Sequence, residues 1–157
     1  MEKDLKKLDL RLYILVRTDL PSLCKGKMGA QTSHASNAFI FQHPAAENPE
    51  VKAWQEQTDQ GFGTVITLGA TMDDINTIIR DQPAHALWNT VVDPTYPFEV
   101  DDEIFHLLPT DVHASIPKQM KNGNWACTRE EVTCMYYFGH VDEGCIFKDP
   151  IKNLKLL

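Results

Sequence analysis

Lys27, Gln31 and His34 follow one another at steps of four and three residues in KGKMGAQTSHA, and Asp93 stands much later, after the β-branched run TVV. The set holds a cation, an amide, an imidazole and a carboxylate. A lysine at a helix start can face a phosphate or an oxyanion, with the helix's own N–H groups adding to the field. An amide one turn on shares its face and can orient water or hold a substrate. An imidazole can serve as base or as a polar contact, and a carboxylate after a strand can activate water or fix a lysine. Each residue also has a plainer reading. Gln31 alone reads as a helix-surface glutamine, His34 as a hydrogen-bonded packing residue, and Asp93 as a turn aspartate before Pro94. Lys27 is the sharpest signal, because a cation is mildly unfavourable at the positive end of a helix.

The elements that must position these residues are legible around them. Leu12–Val16 is a near-continuous apolar run, the pattern of a central strand buried on both faces, and the strand is expected over about 11–17. Residues 17–26 are polar and broken by Pro21 and Gly26, so they read as a loop. A helix is expected from Lys27 to about Gln42, ended by His43-Pro44. A second helix is expected over 50–57 and a strand over 64–68. The next helix is expected to be capped by Thr71 with Asp74 at its third position, and a strand covers 87–92. The proline-rich, acidic stretch 94–129 carries at most a short helix near 101–108. A strand follows over 131–139, then a closing helix or packed tail over 146–157. Strands alternating with helices predict an α/β domain in layers around a sheet. In such sheets ligands bind beyond the carboxyl ends of strands, beside helix N-termini, which is where Lys27 falls.

VRTDL followed by KGKMGAQTSHA resembles the opening signature of the archaeal and eukaryotic-type peptidyl-tRNA hydrolases. Arg17, Asp19, Leu20, Gly26, Lys27, Ala30, Gln31, Ser33, His34 and Ala35 fit it. VTCMYYFG is similar to the family's penultimate strand, and IFKDPIKNLKLL to its closing segment. The resemblance implies a three-layer α/β/α sandwich with a mixed four-stranded sheet. It also implies a single domain over 1–157 with an insertion at 94–129, where the family pattern is lost. The implied activity is hydrolysis of the ester between a peptide and tRNA, a carboxylic-ester hydrolysis that needs no metal or cofactor. Lys27, Gln31, Asp93 and Thr95 are the catalytic candidates it implies, and Arg17, Lys25 and His34 the substrate-binding ones. Thr95 lies two residues after Asp93, whereas the family's threonine lies four after its aspartate. Arg17 and Asp19 also read as an internal pair that shapes the loop.

The totals fit one soluble domain with a real core: 157 residues, 43% hydrophobic and 24% charged. No apolar run approaches the ~20 residues of a membrane span. The charged start MEKDLKKLDLRLY has no secretory pattern, and Cys24, Cys127, Cys134 and Cys145 form no C-x-x-C pair. A cytoplasmic protein with reduced thiols is expected. The net charge of −7 argues against non-specific nucleic-acid binding, but Arg11, Arg17, Lys25 and Lys27 cluster near the candidate site while Asp93, Glu99, Asp101, Asp102 and Glu103 lie later. The expected partner is peptidyl-tRNA, with a homodimer left open. The alternative is a catalytically altered member of the same fold that binds protein or RNA through 94–129. The chain has no Gly-x-Ser-x-Gly elbow, no Gly-x-Gly-x-x-Gly and no P-loop, and nothing in the sequence marks a low pKa for Cys24.

Overall fold

The computed structural model describes residues 5, 8–21, 23–82, 86–108, 117–140, 151 and 153–157. In chain order the elements are β1 (Leu10–Arg17), α1 (Lys25–Gln42), α2 (Pro49–Gln55), β2 (Val65–Ala70), α3 (Met72–Asp81), β3 (Leu87–Val100), α4 (Asp102–Phe105), β4 (Lys118–Gln119), β5 (Trp125–His140) and β6 (Lys155–Leu156). The strands form one open sheet of six, in the order β3-β5-β1-β2-β6, with β4 paired to β5. The chain divides into two compact units, one of Met1–Val91 with Cys134–Leu157 and the other of Val92–Thr133.

β1 is the centre of the first unit. It pairs in parallel with β2, Leu12 opposite Val65 and Arg17 opposite Ala70, and antiparallel with β5, Leu12 opposite Phe138 and Val16 opposite Cys134. Side chains alternate between faces along a strand, and both faces of β1 are buried. Tyr13 and Leu15 join Leu68, Met135 and Tyr137 under Ile75 and Ile78 of α3. On the other face Phe39 of α1 packs against Tyr136 and Phe138, and Trp54 of α2 meets both Phe39 and Phe138 edge-on. The expected apolar run is therefore a central strand covered by helices on each side. α3 has the expected capping box, Thr71 Oγ1 accepting from the Asp74 N–H and Asp74 accepting from the Thr71 N–H.

Gly63 fixes the turn into β2. Its φ of +65° lies in the left-handed region, and a Cβ there would fall 2.1 Å from the Trp54 ring. The indole instead lies flat over this glycine and donates from Nε1 to the Thr64 carbonyl at 2.9 Å.

The sheet has six strands where four were expected. β4 and β6 are two-residue pairings too short to leave a pattern in the sequence. β3 does not stop at Val92 but continues through Asp93, Pro94 and Pro97 to Val100. Proline lacks a ladder donor and is tolerated on an edge strand, which is the place β3 occupies. β5 likewise begins at Trp125 rather than near residue 131. Of the expected closing element, residues 146–150 lie outside the described residues, as does Cys145. Its end is β6, antiparallel to β2.

The second unit has its own small aromatic centre. Phe105 stacks on Trp125 with ring centroids 4.1 Å apart, and Trp125 Nε1 donates to Asp102 Oδ1 at 2.7 Å. Glu99 Oε1 accepts from Asn122 and Asn124, whose amides hold its carboxyl below the usual carboxylate range.

Candidate functional site

β1 and β2 run in parallel and end together at Arg17 and Ala70, so the loop leaving β1 starts at the open carboxyl edge of the sheet. That loop is clamped. The Thr18 N–H donates to the Ala70 carbonyl at 2.9 Å, and Leu20 and Leu23 are buried. Arg17 and Asp19 supply a second tie. Arg17 donates from Nε to Asp19 Oδ1 at 2.5 Å and from Nη2 to Oδ2 at 3.1 Å, and Oδ2 also accepts the Met72 N–H at the start of α3. Burial alone would raise the Asp19 carboxyl; the Arg17 hydrogen bond and the Met72 N–H outweigh it and hold the group below its ordinary value. Arg17 is only 6% exposed, and its guanidinium also reaches Met72 Sδ at 3.4 Å. The expectation that Arg17 touches substrate thus meets a buried side chain engaged within the protein.

The loop delivers the chain to α1 through Cys24, its N-cap. Lys25 and Lys27 lie in the first turn and are exposed, and no acidic residue shares that turn. The row facing the sheet is Gln31, Ala35 and Phe39, at four-residue spacing. Lys27 lies one turn before Gln31, in the exposed first turn of the helix. Lys27 and Gln31 therefore share a side of the helix, as their spacing requires, but differ in surroundings. Gln31 is 9% exposed, and its carbonyl accepts from Cys134 Sγ at 3.4 Å. His34 is exposed.

Cys24 carries a signal the sequence did not give. The Lys27 N–H first, then the Gly26 N–H and the Lys27 charge, lower its thiol below the ordinary value, although the side chain makes no cap hydrogen bond. Cysteine is not among the favoured cap residues, so only the helix start, seen in three dimensions, reveals it.

Asp93 and Thr95 belong to the second unit. Asp93 is half-buried within β3, and its Oδ1 accepts from Thr95 N at 2.9 Å and from Thr95 Oγ1 at 3.3 Å. The two residues thus form a local carboxylate–hydroxyl pair despite their two-residue spacing. Among the described residues no group of three or more His, Cys, Asp or Glu side chains is arranged to hold a metal ion. No described helix is long and apolar enough to cross a membrane.

A mixed sheet flanked by helices, with a lysine-bearing helix start following its central strand, defines an α/β protein. The sequence model of the family described as Peptidyl-tRNA hydrolase PTH2 matches residues 10–93, more than half of the 157-residue chain. The chain belongs to that family. No curated protein matches the sequence.

Proposed function

We propose that this protein is a peptidyl-tRNA hydrolase that cleaves the ester between a peptide, or an N-blocked aminoacyl group, and tRNA. The observation that carries the reading is Lys27 at the start of α1, at the carboxyl edge of the β1–β2 pair, in a chain of this family. In the reaction, water adds to the ester carbonyl and loses a proton to a carboxylate, the role that the family resemblance gives to Asp93. Lys27 and the first N–H groups of α1 meet the negative charge that develops on the carbonyl oxygen. The bond to the ribose oxygen then breaks, that oxygen takes a proton, and free tRNA and a peptide carboxylate leave. Gln31 orients the substrate from its buried place beside Lys27. Thr95 holds the Asp93 carboxylate, and Lys25 and His34 contact the substrate. Arg17 enters as a positioning residue that fixes the loop before α1.

Two observations support reading 94–129 as an insertion into a single family domain. The family match ends at residue 93, and the second compact unit begins at Val92. Helices on both faces of β1 fit the three-layer α/β/α arrangement expected for the remainder.

The test is release of the acyl group from N-acetyl-aminoacyl-tRNA, with unblocked aminoacyl-tRNA as control, by wild type and Lys27→Ala. Wild type should cleave only the blocked substrate. Lys27→Ala should lose about a hundredfold or more in kcat, the scale of removing one oxyanion-stabilising group, with its circular dichroism unchanged. Absence of cleavage by folded wild type would overturn the reading, and equal rates in the two proteins would remove Lys27 from it.

A further inference from the structure

α1 has an outward side of which the reaction just described uses only Lys27 and His34. Lys27, Ala30, His34, Asn37 and Phe41 follow at alternating three- and four-residue steps, so they form one straight row along the helix. All five are exposed, and Phe41 is 86% exposed. A large apolar side chain left this open on a regular helix is unusual only in its setting. The setting here is a helix with no acidic residue anywhere and its two lysines confined to the first turn. Charge is thus at one end of the row and apolar surface at the other, with a small side chain and two hydrogen-bonding ones between.

We infer that this row is the subsite for the peptide of peptidyl-tRNA, with the ester at Lys27 and the chain lying along α1 toward Phe41. The inference rests on the hydrolase reading. Peptidyl-tRNA is itself polar in this sense, a polyanion joined through one ester to a largely uncharged chain, and its polarity matches the row's. From Lys27 to Phe41 is fourteen residue steps, about 21 Å at the helical rise. An extended peptide covers that distance in about six residues at ~3.3–3.6 Å each. His34 and Asn37 stand where the peptide's backbone N–H and C=O groups pass. Phe41 stands where the side chain about six residues from the ester arrives.

The experiment compares N-acetyl-leucyl-tRNA with an N-acetylated, uncharged hexapeptidyl-tRNA carrying leucine at its amino end, for wild type and Phe41→Asp. The short substrate ends before Phe41; the long one reaches it. Burying one leucine-sized side chain against Phe41 is expected to raise kcat/KM of the long substrate about tenfold over the short one in wild type. In Phe41→Asp that ratio should fall to about one. A flat ratio in wild type, with the short substrate cleaved normally, overturns the subsite and leaves the hydrolase standing. A tenfold ratio that survives in Phe41→Asp also overturns it. Failure of wild type to cleave either substrate overturns the hydrolase reading and the subsite with it. Light scattering on the same proteins gives the remaining outcome. A wild-type dimer that Phe41→Asp converts to monomer would show the row covered by a second copy, and would overturn the subsite.

Discussion

Asp19→Asn tests whether the Arg17–Asp19 pair is internal architecture. The substitution keeps the side chain's shape and removes its charge. Breaking one side of a fully buried ion pair costs about 3–5 kcal/mol, because the remaining charge stays buried without its counter-charge. Arg17 meets that condition at 6% exposure, but the Asp19 side chain is 37% exposed, so water already screens part of the attraction. The weakened acceptor for the Met72 N–H adds a smaller cost. The expected loss is about 2 kcal/mol, equivalent to roughly 4–8 °C in Tm for a chain of this size. Urea unfolding followed by tryptophan fluorescence at pH 7 measures it. A double-mutant cycle with Arg17→Met then isolates the pair, and a coupling of about 1–2 kcal/mol is expected. The pH dependence carries an independent check. Asp19 has a folded pKa below its ordinary value of 3.8, so its contribution is present above that value and is lost as pH falls through the folded pKa. The gap between wild type and Asp19→Asn should therefore close in strong acid. Superimposable urea curves at pH 7, or an Asp19→Asn cost unchanged in the Arg17→Met background, would refute the reasoning and return Arg17 to the substrate contacts.

Gly63→Ala should cost about 2–3 kcal/mol, since the new Cβ both meets the Trp54 ring and strains a positive φ. A lower urea midpoint with a red-shifted tryptophan emission would register it, and an unchanged midpoint would mean the indole moves aside freely. His43 Nε2 lies 3.1 Å from Tyr136 Oη beside the Phe39 ring, and burial lowers its pKa below 6.5. The unfolded chain therefore binds a proton that the native chain refuses, and stability should fall as pH drops from 6.5 through the folded pKa. Urea midpoints between pH 7.5 and 5 should fall more steeply in wild type than in His43→Gln, and parallel slopes would contradict this. The neighbouring Tyr136, pushed up to about 12 chiefly by burial, keeps its proton throughout that range.

Most of the first unit was legible because its signals are local and strong. The run Leu12–Val16 could be buried only on both sides, and Thr71 with Asp74 announces its helix by chemistry any chain would obey. The candidate helix start was legible too, since a lysine at that position is disfavoured without a function. What escaped depends on neighbours that no short window contains. The expected strand ends at Val92, short of Pro94 and Pro97, because the sequence does not say that β3 lies at an edge. Gln31 read as a surface residue on its own, because α1 is made of small side chains and shows little contrast between its faces; only the sheet reveals which side is covered. The cap role of Cys24 and the two-residue pairings β4 and β6 leave no compositional trace. Asp93 and Thr95 were singled out by resemblance, and their mutual hydrogen bonds appear only in the folded strand.

The prolines of β3 have a consequence beyond the placing of Asp93. An open sheet ends in two unpaired rows of backbone groups, and such rows recruit strands from other molecules. Here one border strand carries Pro94 and Pro97, which interrupt its row of donors, and the other, β6, is two residues long and includes Lys155. β6 covers only Leu68 and Gly69 of β2, so among the described residues the interrupted border is that of β3. The β3 border should therefore be a poor seed for strand addition, the first step by which sheets with long, regular borders grow into fibrils.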